Sequence, residues 1–174
     1  PENYSKYFDS KGNLNKSLVH ANDTINLSGN FSKKNFIINI PITVTSTEND
    51  ALLKNSPIYF VNVSNQNFKY DVMISNLKIE SNIANISAVW IIGCDHIKIF
   101  DNDIFTTGHN GYPISLDQYT TDSIVSNNKI RTIVPVEASP ISNSQSTEDS
   151  DENATDNSSW QHSGISLRDA HRNS

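Results

Sequence analysis

Three stretches of the chain, KYDVMISNLKIES, HIKIFDNDIFTTG and DSIVSNNKIRT, superpose when Ile79 is placed on Ile104 and Ile104 on Ile130. Val72, Ile74 and Leu77 then fall on Ile97, Ile99 and Asn102, 25 residues on, and these on Ser123, Val125 and Asn128, 26 further. A second set repeats the pattern: Val89 and Ile91 fall on Ile114 and Leu116, and Ile165 with Leu167 in GISLRD shows the same alternation. A period in the twenties that carries short strands of alternating apolar residues is the signature of a solenoid. One coil cannot bury its inward row alone, whereas coils stacked about 4.8 Å apart bury a continuous apolar column. The expected fold is all-β, a single-stranded parallel β-helix. In such a stack like residues lie on like, so Asn102 over Asn128 is expected to form a structural amide ladder that stops at Leu77.

The composition fits a narrow core. Of 174 residues 36% are hydrophobic, and asparagine and serine, both turn residues, are each about one residue in seven. The one cysteine, Cys94, excludes an internal disulfide and is expected as a packed, inert thiol in a turn. No run approaches the ~18 apolar residues of a membrane span. The net charge of -6 is local. Between Arg131 and Arg168 there is no Lys or Arg, while Glu137, Glu148, Asp149, Asp151, Glu152 and Asp156 supply six acids, and the rest of the chain is balanced. With no basic face to release counterions from phosphates, nucleic acid is not an expected partner.

Four regions follow. Residues 1–20, with two Tyr and a Phe ahead of the turn cluster DSKGN, are expected to cap the first coil. Residues 21–137 are read as coils, with KNFIINIPITVTST as one long strand interrupted at Pro41. Nine residues separate Ile79 from Val89 and Ile104 from Ile114, but 34 separate Ile130 from Ile165. That excess is one coil in length, yet residues 138–159 are acidic, of low complexity and almost without apolar side chains, so a flexible insertion is expected instead. Residues 160–174 begin a further coil that the chain does not complete, the expectation for a fragment of a longer array.

The run NYSKYFDSKGNLNKS, followed by NDTINLSGNFSKKNFIINIPITVTST, NDALLKN and Asn-rich coils, resembles the adhesin-like surface proteins of methanogenic archaea. The resemblance covers most of residues 3–133 and the last ten or so. It implies a right-handed β-helix of the pectate-lyase-like type, an extracellular, cell-surface location and non-catalytic binding of extracellular polysaccharide or of another cell's surface. It implies no cofactor.

Parallel β-helices also carry polysaccharide lyases and polygalacturonases, so the acids matter. Asp101 and Asp103 flank Asn102, GHNG spans residues 108–111 with His109, and Lys129 and Arg131 follow one coil later. This order is similar to that of polygalacturonases. However, an adjacent Asp pair is missing and GHN stands where GHG is expected, so Asp101, Asp103 and His109 are catalytic candidates only on the alternative, enzymatic reading. Asp149, Asp151 and Asn153 have calcium-loop spacing, but Ala154 and Trp160 occupy the positions of the required Gly and Glu. The five histidines have no ligand spacing, and no metal is expected. For sugar stacking the candidates are Trp90, Tyr112 and Tyr119, with Trp90 placed outward by its position between inward Val89 and Ile91. A third alternative is a structural stalk of the cell envelope. Nine Asn-x-Ser/Thr sequons complete the inventory, about five being the number composition alone gives.

Overall fold

A chain that alternates short apolar strands with asparagine-rich corners every 25 residues or so can close its hydrogen bonds only between coils, and it does so here in three parallel sheets. The computed structural model describes residues 3–133 and 165–168. The first sheet contains β1 (Thr24–Asn26), β4 (Thr43–Thr45), β7 (Met73–Ser75), β10 (Lys98–Phe100) and β13 (Ile124–Ser126). The second contains β2 (Asn30–Ser32), β5 (Leu52–Lys54), β8 (Lys78–Ser81), β11 (Asp103–Thr106) and β14 (Lys129–Thr132). The third contains β3 (Phe36–Ile38), β6 (Ile58–Val61), β9 (Val89–Ile92), β12 (Ile114–Asp117) and β15 (Ile165–Arg168). The chain is a parallel β-solenoid that visits the three sheets in turn.

The observed register is the one the repeat implies. Ile79, Ile104 and Ile130 are partners, as are Ile74, Ile99 and Val125, and Val89, Ile114 and Ile165. The 34-residue interval before Ile165 does not shift the pairing of β12 with β15. Residues 134–164, which include the acidic stretch 138–159, lie outside the described residues, and so does the tail after Arg168.

The earlier coils, which the repeat alone does not align, follow the same plan with uneven lengths. Ile25 pairs with Val44 and Phe31 with Leu53, whereas Val44 to Ile74 spans 30 residues because an excursion with a 3-10 turn at Gln66–Phe68 leaves the coil there. KNFIINIPITVTST is not one strand. Pro41 sits at the corner between β3 and β4, which belong to different sheets, so its missing N–H interrupts no ladder.

The corners explain the asparagine content. Among the described residues sixteen non-glycine positions have positive φ, and nine are asparagine, the residue that best tolerates this left-handed conformation after glycine. They recur in register: Asn76, Asp101 and Asn127 have φ of 56°, 55° and 53° at successive passages from the first sheet to the second.

The N-terminal segment meets the first coil. After a helical turn at Tyr4–Tyr7, Phe8 bridges Leu14 antiparallel and Asn13 bridges Ile37 of β3 parallel. Tyr4 stacks on Phe8, and Phe8 and Phe31 meet Phe36 edge-on with ring centroids 5.1 and 5.6 Å away. No helix among the described residues is long and apolar enough to cross a membrane.

Candidate functional site

An inward residue on every strand places its neighbours outward, so each sheet offers a lateral face whose side chains stack coil upon coil. The outer face of the second sheet takes Asp103. It opens β11, and its row runs Lys78, Asp103, Lys129. Arg131 Nη2 donates to Asp103 Oδ1 at 2.8 Å, Lys129 Nζ lies 3.6 Å from Oδ2, and the Arg131 guanidinium stands over the Phe105 ring at 5.3 Å. Asp103 is thus the centre of a charge ladder between coils.

Asp101, two residues earlier, is an exposed corner residue in the left-handed column. His109 lies beyond the far end of β11, which alone spans roughly 13 Å. The strand therefore lies between Asp103 and His109. The glycines around His109 have a packing reason: a Cβ on Gly108 would stand 2.2 Å from the Ile83 carbonyl oxygen, and one on Gly111 2.8 Å from that of Ile86. The GHNG stretch is a close backbone crossing against the preceding coil.

The outer face of the third sheet is different. Its register brings Ile37, Tyr59, Trp90 and Ser115 into one row and Val61, Ile92 and Asp117 into the next. The Tyr59 and Trp90 rings face each other at 6.0 Å between centroids, tilted by 34°. Trp90 Nε1 donates to Asp117 Oδ2 at 2.6 Å, and Ser115 Oγ donates to the same oxygen at 3.1 Å. Asp117 is outward in register yet only 4% exposed. A buried carboxyl group one coil away thus fixes the indole by a short hydrogen bond. Partial burial also raises the Tyr59 phenol above its ordinary pKa by desolvation.

Of the three aromatic candidates, only Trp90 belongs to this pair. Tyr112 precedes β12 and Tyr119 follows it, so the length of that strand separates them, and Tyr119 is a highly exposed corner residue with φ of 66°. Tyr59 and Asp117 escaped the sequence reading. Tyr59 lies 31 residues before Trp90, off the 25-residue period, because of the excursion around Gln66–Phe68. Asp117 was legible, since it continues the outward alternation of the strand ISLD.

The amide pair is a bonded ladder. Asn102 Oδ1 accepts from Leu77 N at 3.1 Å; Asn102 Nδ2 donates to the Ile74 and Phe100 carbonyls and to Asn128 Oδ1 at 2.9 to 3.0 Å. Asn128 Nδ2 in turn reaches the Ile99 and Ser126 carbonyls. The ladder begins at Leu77, which contributes only a backbone N–H.

Cys94 is buried, its Sγ accepts from Val63 N and donates toward the Phe60 carbonyl, and desolvation pushes the thiol up to about 11. Among the described residues no three His, Cys, Asp or Glu side chains group as a metal site. A cleft of about 700 Å³ opens between the N-terminal segment and the first coil, lined by Tyr4, Tyr7, Phe8, Leu18, Ile25 and Phe31. No family model, curated protein or solved structure matches the chain.

Proposed function

We propose that this chain is part of a secreted, adhesin-like cell-surface protein whose solenoid binds an extracellular polysaccharide, alone or on another cell, without cleaving it. The observation that carries the proposal is the Tyr59–Trp90 pair, held on an outer sheet face by Asp117. Sugar rings present apolar C–H faces that stack on aromatic rings, and a preset indole loses little rotamer freedom on binding. Tyr112 and Tyr119 would serve as outlying contacts at the two ends of β12. The lateral face needs no enclosed pocket, which suits a long polymer better than a small ligand.

Cleavage is the less supported reading, because a glycosidase needs two carboxyl groups about 5–10 Å apart across one bond, whereas Asp103 is engaged by Arg131 and Lys129. The test is a panel of polysaccharides and whole cells, scored for pull-down of the protein and for release of new sugar ends. Binding without release is expected, and Trp90→Ala should lower affinity at least tenfold with unchanged circular dichroism. Intact binding by that variant would remove the aromatic pair from the proposal. Release of sugar ends that Asp103→Asn abolishes would replace it with the enzymatic reading.

A further inference from the structure

The sequons are unevenly distributed, and the fold gives their positions a common property. Six asparagines precede Phe31, and five of them, Asn3, Asn15, Asn22, Asn26 and Asn30, head Asn-x-Ser/Thr triplets. Of the fourteen from Asn35 to Asn128, only Asn62 and Asn85 do. Composition places a Ser or Thr two residues on for about one asparagine in five, which accounts for the second group and not for the first. All five lie at the N-terminal end of the solenoid.

Among the described residues that end has strands without an outer partner. The third sheet is continued past β3 by the bridge of Asn13 to Ile37, but β1 and β2 are the terminal strands of their sheets, with no pairing on their far edges among the described residues. An unpaired edge is a template for another chain. Asn22 precedes β1 and Asn30 opens β2; both are exposed, and neither side-chain amide holds a hydrogen bond to another of the described residues. Asn26 and Asn15 are committed: Asn26 exchanges two 2.9 Å bonds with Thr47, and Asn15 Oδ1 accepts from Ser17 N and Oγ.

We propose that Asn22 and Asn30 are N-glycosylation sites whose glycans cover the open edges of β1 and β2 and keep the N-terminal ends of two copies from pairing. The inference rests on the extracellular location proposed above but not on polysaccharide binding. In the transfer, the asparagine Nδ2 displaces the phosphate-linked lipid carrier from C1 of the donor sugar. A C1–N bond forms, the C1–O bond to the carrier breaks, and the amide proton passes to the transferase; nothing is oxidised or reduced. One N–H remains on each amide.

The full chain is to be secreted from a host that N-glycosylates and mapped by glycopeptide mass spectrometry. Occupancy is expected at Asn22 and Asn30, with two glycan masses lost in the Asn22→Gln/Asn30→Gln variant and equally in Thr24→Ala/Ser32→Ala, which keeps both asparagines. In sedimentation either variant, with an unchanged β-sheet circular dichroism spectrum, should self-associate where the glycosylated chain stays monomeric. Unmodified Asn22 and Asn30, or variants that remain monomeric, would overturn the proposal and leave the polysaccharide test untouched. Loss of polysaccharide binding with both glycans present would overturn only the binding proposal.

Discussion

The Asn102 side chain bonds three backbone groups, Leu77 N–H and the Ile74 and Phe100 carbonyls. It is buried, and its amide serves Leu77 N–H and the Ile74 carbonyl in the coil before it and Asn128 in the coil after. Asn102→Ala would strand a buried N–H, at about 1–3 kcal/mol per group left without a partner, so a loss of about 2–3 kcal/mol in urea unfolding is expected. Asn128→Ala, at a half-exposed site, should cost less. Asn102→Leu is the informative control, because Leu77 already fills that register one coil earlier. If Leu restored the stability lost by Ala, the ladder would be filling space and not satisfying amides.

At the same scale Cys94 has a definite pH signature. Its thiol titrates near 9.0 when solvated and near 11 when buried. The folded state therefore resists ionisation that the unfolded state accepts. The contribution is fully present below pH 9 and is lost as pH rises toward 11, amounting to roughly 2–3 kcal/mol at about 1.4 kcal/mol per unit. Cys94→Ser should flatten that limb of the stability–pH curve, and native protein at pH 8 should react with a thiol reagent only at its unfolding rate.

At the scale of elements, an inward isoleucine has a value set by how many coils cover it. Ile104 of β11 lies between Ile79 and Ile130 and is fully buried, whereas Ile130 of β14 is partly exposed. Ile104→Ala should cost about 2–5 kcal/mol and Ile130→Ala clearly less, measured as a difference in urea midpoint. Equal losses would mean that β14 is covered in solution. The corners obey a different rule. Gly108→Ala must push a Cβ into the Ile83 carbonyl, so it should destabilise although it adds only a methyl group at a surface turn. This is why glycine at that position says nothing about catalysis.

For the whole molecule, each coil contacts only its neighbours, so stability is close to a sum of coil and interface contributions. Amide exchange should then be slowest in β8 to β11, where every strand has a partner on both sides, and faster toward β1 and β2. Uniform protection would argue for one cooperative unit. The proposed division of labour follows the same geometry, with the lateral face carrying the binding row and the N-terminal edges carrying the glycans.

The sequence by itself determined the coil. Stacking demands identical spacing of inward residues, so Ile79, Ile104 and Ile130 identify one another without any structure, and so do Val89, Ile114 and Ile165 across an interval of unusual length. It also placed Trp90 outward and made Asn102 and Asn128 partners, because period-2 alternation and like-on-like stacking are local rules. Only the tertiary structure decided what lies beside what between coils of unequal length. The 30 residues from Val44 to Ile74 erase the period, and with it the visible link between Tyr59 and Trp90. The structure also separated residues that sit close in the chain. Asp103 and His109 are six positions apart, yet an extended strand lies between them, since a solenoid brings together residues one coil apart and draws sequence neighbours out along its strands.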